Sequence, residues 1–232
     1  MNGPLNGTMF FNQQDSGARL ADMLEALDRS FDDFTIVAVN EDGVLVGHSI
    51  AERLGLRIVP MVVREFPTGL PKTYLSSTSF GHGTLHNGAD CADGGAFNNL
   101  GVVDLPTLFP VLGAEVRSQL HEQTLALNLG GHVFAPERAL LVVDEIGDGH
   151  GLLAAIEALQ RNGTEKVVVV TPVAERWFCE HLHVECISVA SVLQWSDFAE
   201  DFDGFYASLP ADPLAAAQRT IEAFGACGSP AS

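Results

Sequence analysis

The chain has 232 residues, 47% of them hydrophobic, so it is long enough to bury a substantial core and its composition is that of a globular α/β protein rather than a disordered one. Its 30 acidic and 12 basic residues give a net charge of −18, which disfavours nucleic acid and anionic membranes as partners. No secretory signal and no membrane-length apolar run is visible, and the four cysteines form no CxxC pair. We therefore expect a cytoplasmic protein with reduced thiols.

The first part of the chain is typical of a βαβ unit. Apolar residues at helical spacing predict a first helix, with Asp15 or Ser16 as its N-cap. Two β-type runs joined by a helix should pair in parallel with a right-handed crossover. The predicted elements are a helix over 15–28, a strand over 34–39, a polar turn over 40–43, a helix over 44–54 ended by Gly55, and a strand over 56–63.

Residues 66–110 are rich in Gly, Thr, Ser, Asn and His and show little periodicity, which is typical of a functional lid or a small subdomain. The alternation of helices and strands then resumes. Together these patterns predict a mainly parallel sheet flanked by helices, with the ligand at the carboxyl ends of the strands. The later predicted elements are helices over 111–129, 151–161 and 175–182, strands over 139–143, 166–171 and 184–189, a last helix from Asp212-Pro213, and a frayed tail over 225–232.

The segment 139–152 carries the clearest functional signal. A buried strand is followed by Asp144 and Glu145, and then by glycines that alternate with other residues and lead into a helix. Backbone N–H groups in such a turn can converge on an anion, and the helix N-terminus adds a positive dipole there. The two acids could hold ribose hydroxyls. The pattern therefore predicts a nucleotide or sugar-phosphate site.

The same glycine turn also matches the acid-x-G-x-G-x-G pattern of S-adenosylmethionine-dependent methyltransferases. Those proteins place the motif on their first strand, whereas here a complete βαβ unit precedes it. In addition, the strand over 166–171 ends in Thr171-Pro172 and lacks the acid that would bind a ribose diol.

From about Phe10 to Leu209, the order of elements and the turn Val143-Asp144-Glu145-Ile146-Gly147-Asp148-Gly149-His150-Gly151 resemble the type I phosphoribosyltransferases. The resemblance implies one domain over 1–209 with a hood over about 66–135, then a C-terminal helix and tail over 210–232, and it implies a homodimer. It also implies that Asp144 and Glu145 bind the ribose hydroxyls, that the turn from Gly147 to Gly151 binds the 5′-phosphate, and that Asp148 is the general base of an active enzyme.

The chain departs from the family pattern where phosphate groups would bind. Gly149, His150 and Gly151 stand where the family carries threonine and serine hydroxyls, although backbone amides remain and a protonated His150 could donate. On the pyrophosphate side, Arg64 is followed by Glu65 rather than accompanied by a lysine. The loop that commonly offers a base there reads Asn40-Glu41-Asp42-Gly43.

Three hypotheses follow for the function. The first is a non-catalytic or regulatory protein that binds a small phosphorylated ligand, because acids at the pyrophosphate positions oppose the donor phosphoribosyl pyrophosphate (PRPP). The second is an active transferase that forms a nucleotide from a nucleobase and PRPP, with Mg²⁺ to offset the acids. The third is a scaffold that uses the fold for protein interaction.

Several other groups are interpreted structurally. The histidines are not at convincing metal-ligand spacing, and the remaining polar and aromatic runs suit turns, packing, a dimer contact or stacking on a base. These groups are His82 with His86, His181 and His183 with Cys179 and Cys186, the turn 93–99, and the run of Trp195, Phe198, Phe202, Phe205 and Tyr206.

Overall fold

The computed structural model shows a parallel sheet covered by helices on both faces and a second, antiparallel sheet. No helix in the described part of the chain is long and apolar enough to cross a membrane. The structure describes residues 9–67, 73–80, 83–87, 99–103, 118–122, 135–146, 149–175, 179–180, 182–192 and 205–227.

The first helix, α1, spans Gln13–Ala26. Its N-cap is Asn12, whose side chain accepts a hydrogen bond from the Asp15 amide at 2.9 Å. The predicted N-cap at Asp15 or Ser16 is therefore wrong by one turn. Asp15 instead accepts a bond from the amide of Phe11 at 3.0 Å, so a second side chain supports the same helix start.

The predicted βαβ unit is confirmed, with β1 at Thr35–Val39, α2 at Asn40–Leu54 and β2 at Arg57–Met61, and with β1 and β2 in parallel register. The prediction of a polar loop over 40–43 is wrong, because the helix begins at Asn40 and these residues form its first turn. Gly55 ends α2 with φ of 67°, a conformation that favours glycine.

A second sheet occupies part of the region where the sequence shows little periodicity. Its four strands are antiparallel in the order β3-β4-β5-β6. The predicted strand over 56–63 breaks at Val62, so that Val63 already belongs to this second sheet. Of the helix predicted over 111–129, the structure describes 118–122 as helical. The four strands are Val63–Pro67, Thr73–Thr78, Gly83–Asn87 and Asn99–Val103.

The remaining strands complete a parallel sheet of order β2-β1-β7-β8-β9. Strand β8 continues to Glu175 and so takes the start of the helix predicted over 175–182, of which the structure describes a helical turn at 179–180. The last helix also runs past the predicted fraying point at Gly225. The elements are β7 at Arg138–Val142, α3 at His150–Arg161, β8 at Lys166–Glu175, β9 at Glu185–Val192 and α4 at Pro213–Cys227.

The core lies on both faces of the parallel sheet. One face packs against α1, α2 and α4, and the other packs against α3. Covering on both faces explains why β7 and β8 read as continuous apolar runs, since every residue from Ala139 to Val142 and from Val167 to Val170 is buried. This arrangement leaves the carboxyl edge of the sheet as the place where polar side chains can gather.

Candidate functional site

A cavity of about 690 Å³ opens at the carboxyl ends of β1 and β7. The chain adds β2 on the outer side of β1, and it adds β8 and β9 on the outer side of β7. The strand order therefore switches direction between β1 and β7. Ligands of open α/β sheets bind at such a switch point. The cavity is lined by Gln13, Val39, Asn40, Asp42, Val63, Arg64, Glu65, Ser76, Val143, Asp144, Glu145, Ile146, Gly149, Gly151, Leu152, Tyr206, Leu209, Pro210 and Pro213.

Most of the site residues expected from the sequence meet in this cavity, although they come from separate parts of the chain. Gly147 and Asp148 lie outside the described residues. Glu41, Gly43 and His150 are described but do not line the cavity. The predicted residues that do line it are Asn40, Asp42, Arg64, Asp144, Glu145, Gly149 and Gly151.

Asp144 is the second residue after β7 and faces the cavity. The pKa of its carboxyl is raised to about 7, chiefly by burial and also by the neighbouring Asp42 and Glu145, against a hydrogen bond from Tyr206 that lowers it. The Tyr206 hydroxyl donates directly to Oδ1 of Asp144. One oxygen of the first acid of the motif is therefore already bonded within the protein.

Gln13, in the first turn of α1, is a site residue that the sequence analysis missed. Its side chain is 3% exposed and donates from Nε2 to Oδ1 of Asp42 at 2.9 Å. It also hydrogen-bonds Asp144, which lowers the pKa of that carboxyl. A glutamine on the buried stripe of an amphipathic helix was the available signal, because buried polar side chains need partners.

Tyr206 reaches the site from a short segment that pairs with residues before α1. The carbonyl of Phe205 accepts bonds from the amides of Met9 and Phe10 at 3.0 and 2.9 Å, and the amide of Ala207 donates to the Phe10 carbonyl at 2.9 Å. The Tyr206 ring lies 5.8 Å from that of Phe10. We call residues 205–210 the strap, since they cross the cavity between these contacts and α4.

Among the described residues that line the cavity, Arg64 is the basic one, and it forms an ion pair with an acid. Its Nη2 lies 3.5 Å from Oε1 of Glu41, and the two side chains are 38% and 18% exposed. Glu65 also lines the cavity, and its Oε1 accepts a bond from the Ser76 hydroxyl at 3.3 Å. Of the acids expected at the pyrophosphate positions, Glu41 therefore stands beside the guanidinium and Glu65 lines the same cavity.

Two residues of the supposed phosphate loop have structural roles instead. Asn40 adopts a positive φ of 57° and accepts a bond from the amide of Val63 at 2.9 Å, which ties the start of α2 to the start of β3. Gly43 packs directly on the sheet, because a Cβ there would lie 2.9 Å from the carbonyl oxygen of Val142. These contacts give Asn40 and Gly43 structural roles, while the role of 40–43 as pyrophosphate-loop positions stays a prediction.

The start of α3 supplies the anion-binding geometry. Gly149 is its N-cap, with φ of 79°, and within the described helix the first turn carries no acid. Gly149, Gly151 and Leu152 line the cavity, so the positive end of this helix faces it. His150 is 3% exposed and does not line the cavity, so donation from its side chain to phosphate stays a prediction.

Solved structures of similar fold include TT1426 from Thermus thermophilus, with a TM-score of 0.68 and 20% identity over 92% of this chain and 98% of that chain. A purine phosphoribosyltransferase from Pyrococcus horikoshii aligns over 79% of this chain and 85% of that chain, with 13% identity and a TM-score of 0.44. An adenine phosphoribosyltransferase from Thermoanaerobacter pseudethanolicus aligns over 76% and 78%, with 17% identity and a TM-score of 0.39. No protein-family model and no curated protein matches the sequence.

The chain shares its fold with TT1426, and this fold is a mainly parallel sheet flanked by helices, as the sequence predicted. The inserted antiparallel sheet follows β2, and the acidic glycine turn follows β7, as the resemblance implied. Within this fold, the contact between Tyr206 and Asp144 and the ion pair between Arg64 and Glu41 are the features that bear most on what the cavity can hold.

Among the other groups singled out in the sequence, Tyr206 of the aromatic run lines the cavity. His86 and Asn99 lie in β5 and β6 of the antiparallel sheet. Among the residues described, no cluster of three or more His, Cys, Asp or Glu side chains could hold a metal ion. The remaining ones, His82, His181, Asp93 to Asn98, Trp195, Phe198 and Phe202, lie outside the described residues.

Proposed function

We propose that this chain binds a ribose ligand with a single phosphate group, such as a nucleoside monophosphate, and that it acts as a non-catalytic or regulatory member of the fold. The observation that carries the proposal is the unequal charge of the two halves of the cavity. The N-terminus of α3 suits one phosphate, whereas the opposite wall carries acids where a diphosphate would need cations.

The phosphate half has the features of a simple anion site. Backbone amides at the start of α3 face the cavity from Gly149 to Leu152, and the helix dipole favours negative charge there. Glu145 is exposed at the cavity wall beside them and is able to accept from a ribose hydroxyl. A compact ligand that places one phosphate on the helix and its sugar against Asp144 and Glu145 would use this half alone.

The opposite half disfavours pyrophosphate. Outside the turn from Asp144 to Gly151, the described lining holds the carboxyl groups of Asp42 and Glu65 and one guanidinium, that of Arg64, which is paired with Glu41. A like charge at about 4 Å costs roughly 4 kcal/mol at an effective dielectric near 20, less where solvent screens it. Two such contacts are comparable with the roughly 8 kcal/mol that a micromolar ligand gains on binding.

Magnesium would have to arrive with the donor. Mg²⁺ commonly binds one or two carboxylates together with substrate phosphates, and the described residues form no cluster of three ligating side chains. The carboxylates of Glu65 and Glu145 could contact such an ion, and its charge would offset the acids of the cavity. That is the arrangement an active transferase would need, with Asp148 as its base.

Isothermal titration calorimetry distinguishes these functions. We expect nucleoside monophosphates to bind, and PRPP with Mg²⁺ to bind more weakly. Because Asp144 sits at the ribose side of the turn, Asp144→Asn should weaken the monophosphate by about 10- to 100-fold, the loss of a charged hydrogen bond of about 1.5–3 kcal/mol. Asp32→Asn, at an exposed position before β1, is the matched control and should change nothing.

Other outcomes would contradict the proposal. PRPP binding that tightens with Mg²⁺, followed by conversion of a free base to its nucleotide, would establish the active transferase. A chain that binds neither ligand while folding normally would favour the scaffold. Equal affinity of wild type and Asp144→Asn for a monophosphate would place the ligand elsewhere.

A further inference from the structure

Two cysteines meet on the connection between β8 and β9, away from the cavity. Cys179 lies in the helical turn after β8, and Cys186 is the second residue of β9. A hydrogen bond joins their sulfur atoms at 2.9 Å. Both side chains are half-buried and pack against the apolar cluster on the α3 face of the sheet, and both are free thiols.

The contact follows from the fold. The chain leaves β8, crosses the α3 face and returns to start β9, where Cys186 pairs in register with Val169. Residues that are seven positions apart in sequence are thereby brought side by side. Sulfur atoms this close can bond with little movement of the backbone, and partial exposure of Cys179 leaves a path for a small oxidant.

We propose that Cys179 and Cys186 form an oxidisable dithiol, which hydroperoxides convert to an intramolecular disulfide. The Cys179 thiolate attacks the terminal peroxide oxygen, which breaks the O–O bond, gives a sulfenic acid and, with a proton, releases water from hydrogen peroxide or an alcohol from an alkyl hydroperoxide. Cys186 then attacks the Cys179 sulfur and displaces the hydroxyl group as water. The two sulfur atoms together lose two electrons, the peroxide gains them, and thiol reductants reverse the reaction.

The surroundings assign Cys179 as the attacking residue. A hydrogen bond with Cys186 lowers the pKa of Cys179, against burial and the nearby carboxylate of Glu180, which raise it. The same hydrogen bond, together with deeper burial, raises the pKa of Cys186. Because the thiolate is the nucleophile, Cys179 ionises and reacts first and Cys186 resolves the sulfenic acid.

Mass spectrometry tests the proposal directly on the full chain. Trypsin releases residues 177–219 as one peptide, which contains Cys179 and Cys186 but neither Cys91 nor Cys227. Treatment of the reduced protein with hydrogen peroxide should make this peptide lighter by two hydrogen atoms, and dithiothreitol should restore it. Cleavage after Glu180 or Glu185 should separate the two cysteines only after reduction.

Single variants identify the order of events. In Cys186→Ser we expect a sulfenic acid at Cys179 that dimedone traps, whereas Cys179→Ser should leave Cys186 largely unmodified. Oxidation of the wild type should raise its Tm by about 5 °C, because the disulfide closes a short loop, and neither variant should show this rise.

Three results would overturn the proposal. The first is a 177–219 peptide that stays unchanged at a peroxide concentration that oxidises Cys91 or Cys227. The second is a disulfide that joins Cys179 or Cys186 to Cys91 or Cys227. The third is dimedone labelling of Cys186 in preference to Cys179. None of these depends on ligand binding at the cavity, so the test is independent of the proposed function.

Discussion

Asp144 is a carboxyl group whose environment opposes its charge. It is held at the edge of the core by Tyr206 and Gln13 while other acids stand nearby. Its pKa of about 7 means that the protonated form persists near neutral pH, in contrast to an unfolded chain where the carboxyl titrates near pH 4. A ligand that needs an ionised Asp144 must therefore bind more tightly as the pH rises through about 7.

The same group makes the stability of the fold depend on pH. Because the folded-state pKa is raised, the favourable contribution of Asp144 is complete below about pH 4 and is lost as the pH rises through about 7. We expect wild type to lose up to about 4 kcal/mol of unfolding free energy from this group between those limits. Asp144→Asn should remove most of that slope in urea titrations at several pH values.

The unfolding free energies of wild type and Asp144→Asn are compared at each pH, because other carboxyl groups also titrate. Burial and the charge of Glu41 raise the pKa of Asp42 as well, so Asp42→Asn is a second variant in which a smaller part of the slope should disappear. Parallel pH profiles of wild type and Asp144→Asn would show that Asp144 ionises normally.

Gly43 illustrates a residue whose role is set by packing. A Cβ at this position would lie 2.9 Å from the Val142 carbonyl oxygen, which belongs to the backbone of β7 and cannot move aside. We expect Gly43→Ala to lower the unfolding free energy by about 1–3 kcal/mol in urea denaturation, despite the better helix propensity of alanine.

Gly151→Ala is the matched control for that substitution. The added Cβ would contact only the Val63 side chain, at 3.4 Å, and the residue lies in the first turn of α3. This variant should be as stable as wild type or slightly more stable. Equal stability of both variants would argue against close packing of α2 on β7.

At the scale of the elements, the strand and turn from Ala139 to Gly151 could be predicted from sequence because every signal in them is local. An apolar run, adjacent acids and alternating glycines need no distant partner to be interpreted. The parallel pairing of β1 with β2 was predictable for the same reason. The resemblance to a known family then supplied the expectation that the inserted region lies apart from the parallel sheet.

What sequence could not supply depends on contacts between distant residues. The start of α2 was misplaced because Asn40 is held in a positive-φ conformation by the Val63 amide, 23 residues later. Gln13 and Tyr206 reach the cavity from opposite ends of the described chain, so no spacing reveals them together. The strands of the antiparallel sheet were missed because polar and small residues there give no clear alternation.

Asn40 offers a test of how α2 and β3 are joined. We expect Asn40→Ala to lower the unfolding free energy by about 2–3 kcal/mol, because it removes the bond to the Val63 amide and places alanine in the left-handed region. Asn40→Gly keeps the conformation and loses only the bond, so its loss should be about 1 kcal/mol. Identical losses in urea denaturation would mean that the positive φ has no cost.

At the scale of the whole molecule, a net charge of −18 acts on both folding and binding. Like charges repel in the compact state, and an anionic ligand approaches against the same field. Raising NaCl from about 20 mM to about 300 mM shortens the Debye length and should raise the Tm by a few degrees. Nucleoside monophosphate affinity should rise over the same range, in contrast to the usual weakening of phosphate ligands by salt.

The uncharged nucleoside is the control in this experiment. It meets the same cavity without a phosphate, so its affinity should change little with salt when measured by calorimetry. If salt tightens the binding of the nucleoside and of the monophosphate equally, the effect comes from protein stability rather than from the electrostatic field at the cavity.

The strap also has a consequence for the time course of recognition. Tyr206 is anchored through Phe205 to the backbone of Met9 and Phe10. A ligand that competes with Tyr206 for the Asp144 carboxylate can therefore bind only after the strap has opened. Opening before entry would make the observed association rate level off at high ligand concentration. Tyr206→Phe removes the hydroxyl that bonds Asp144, so the strap should open more readily. The rate constants of ligand association and dissociation should therefore both increase.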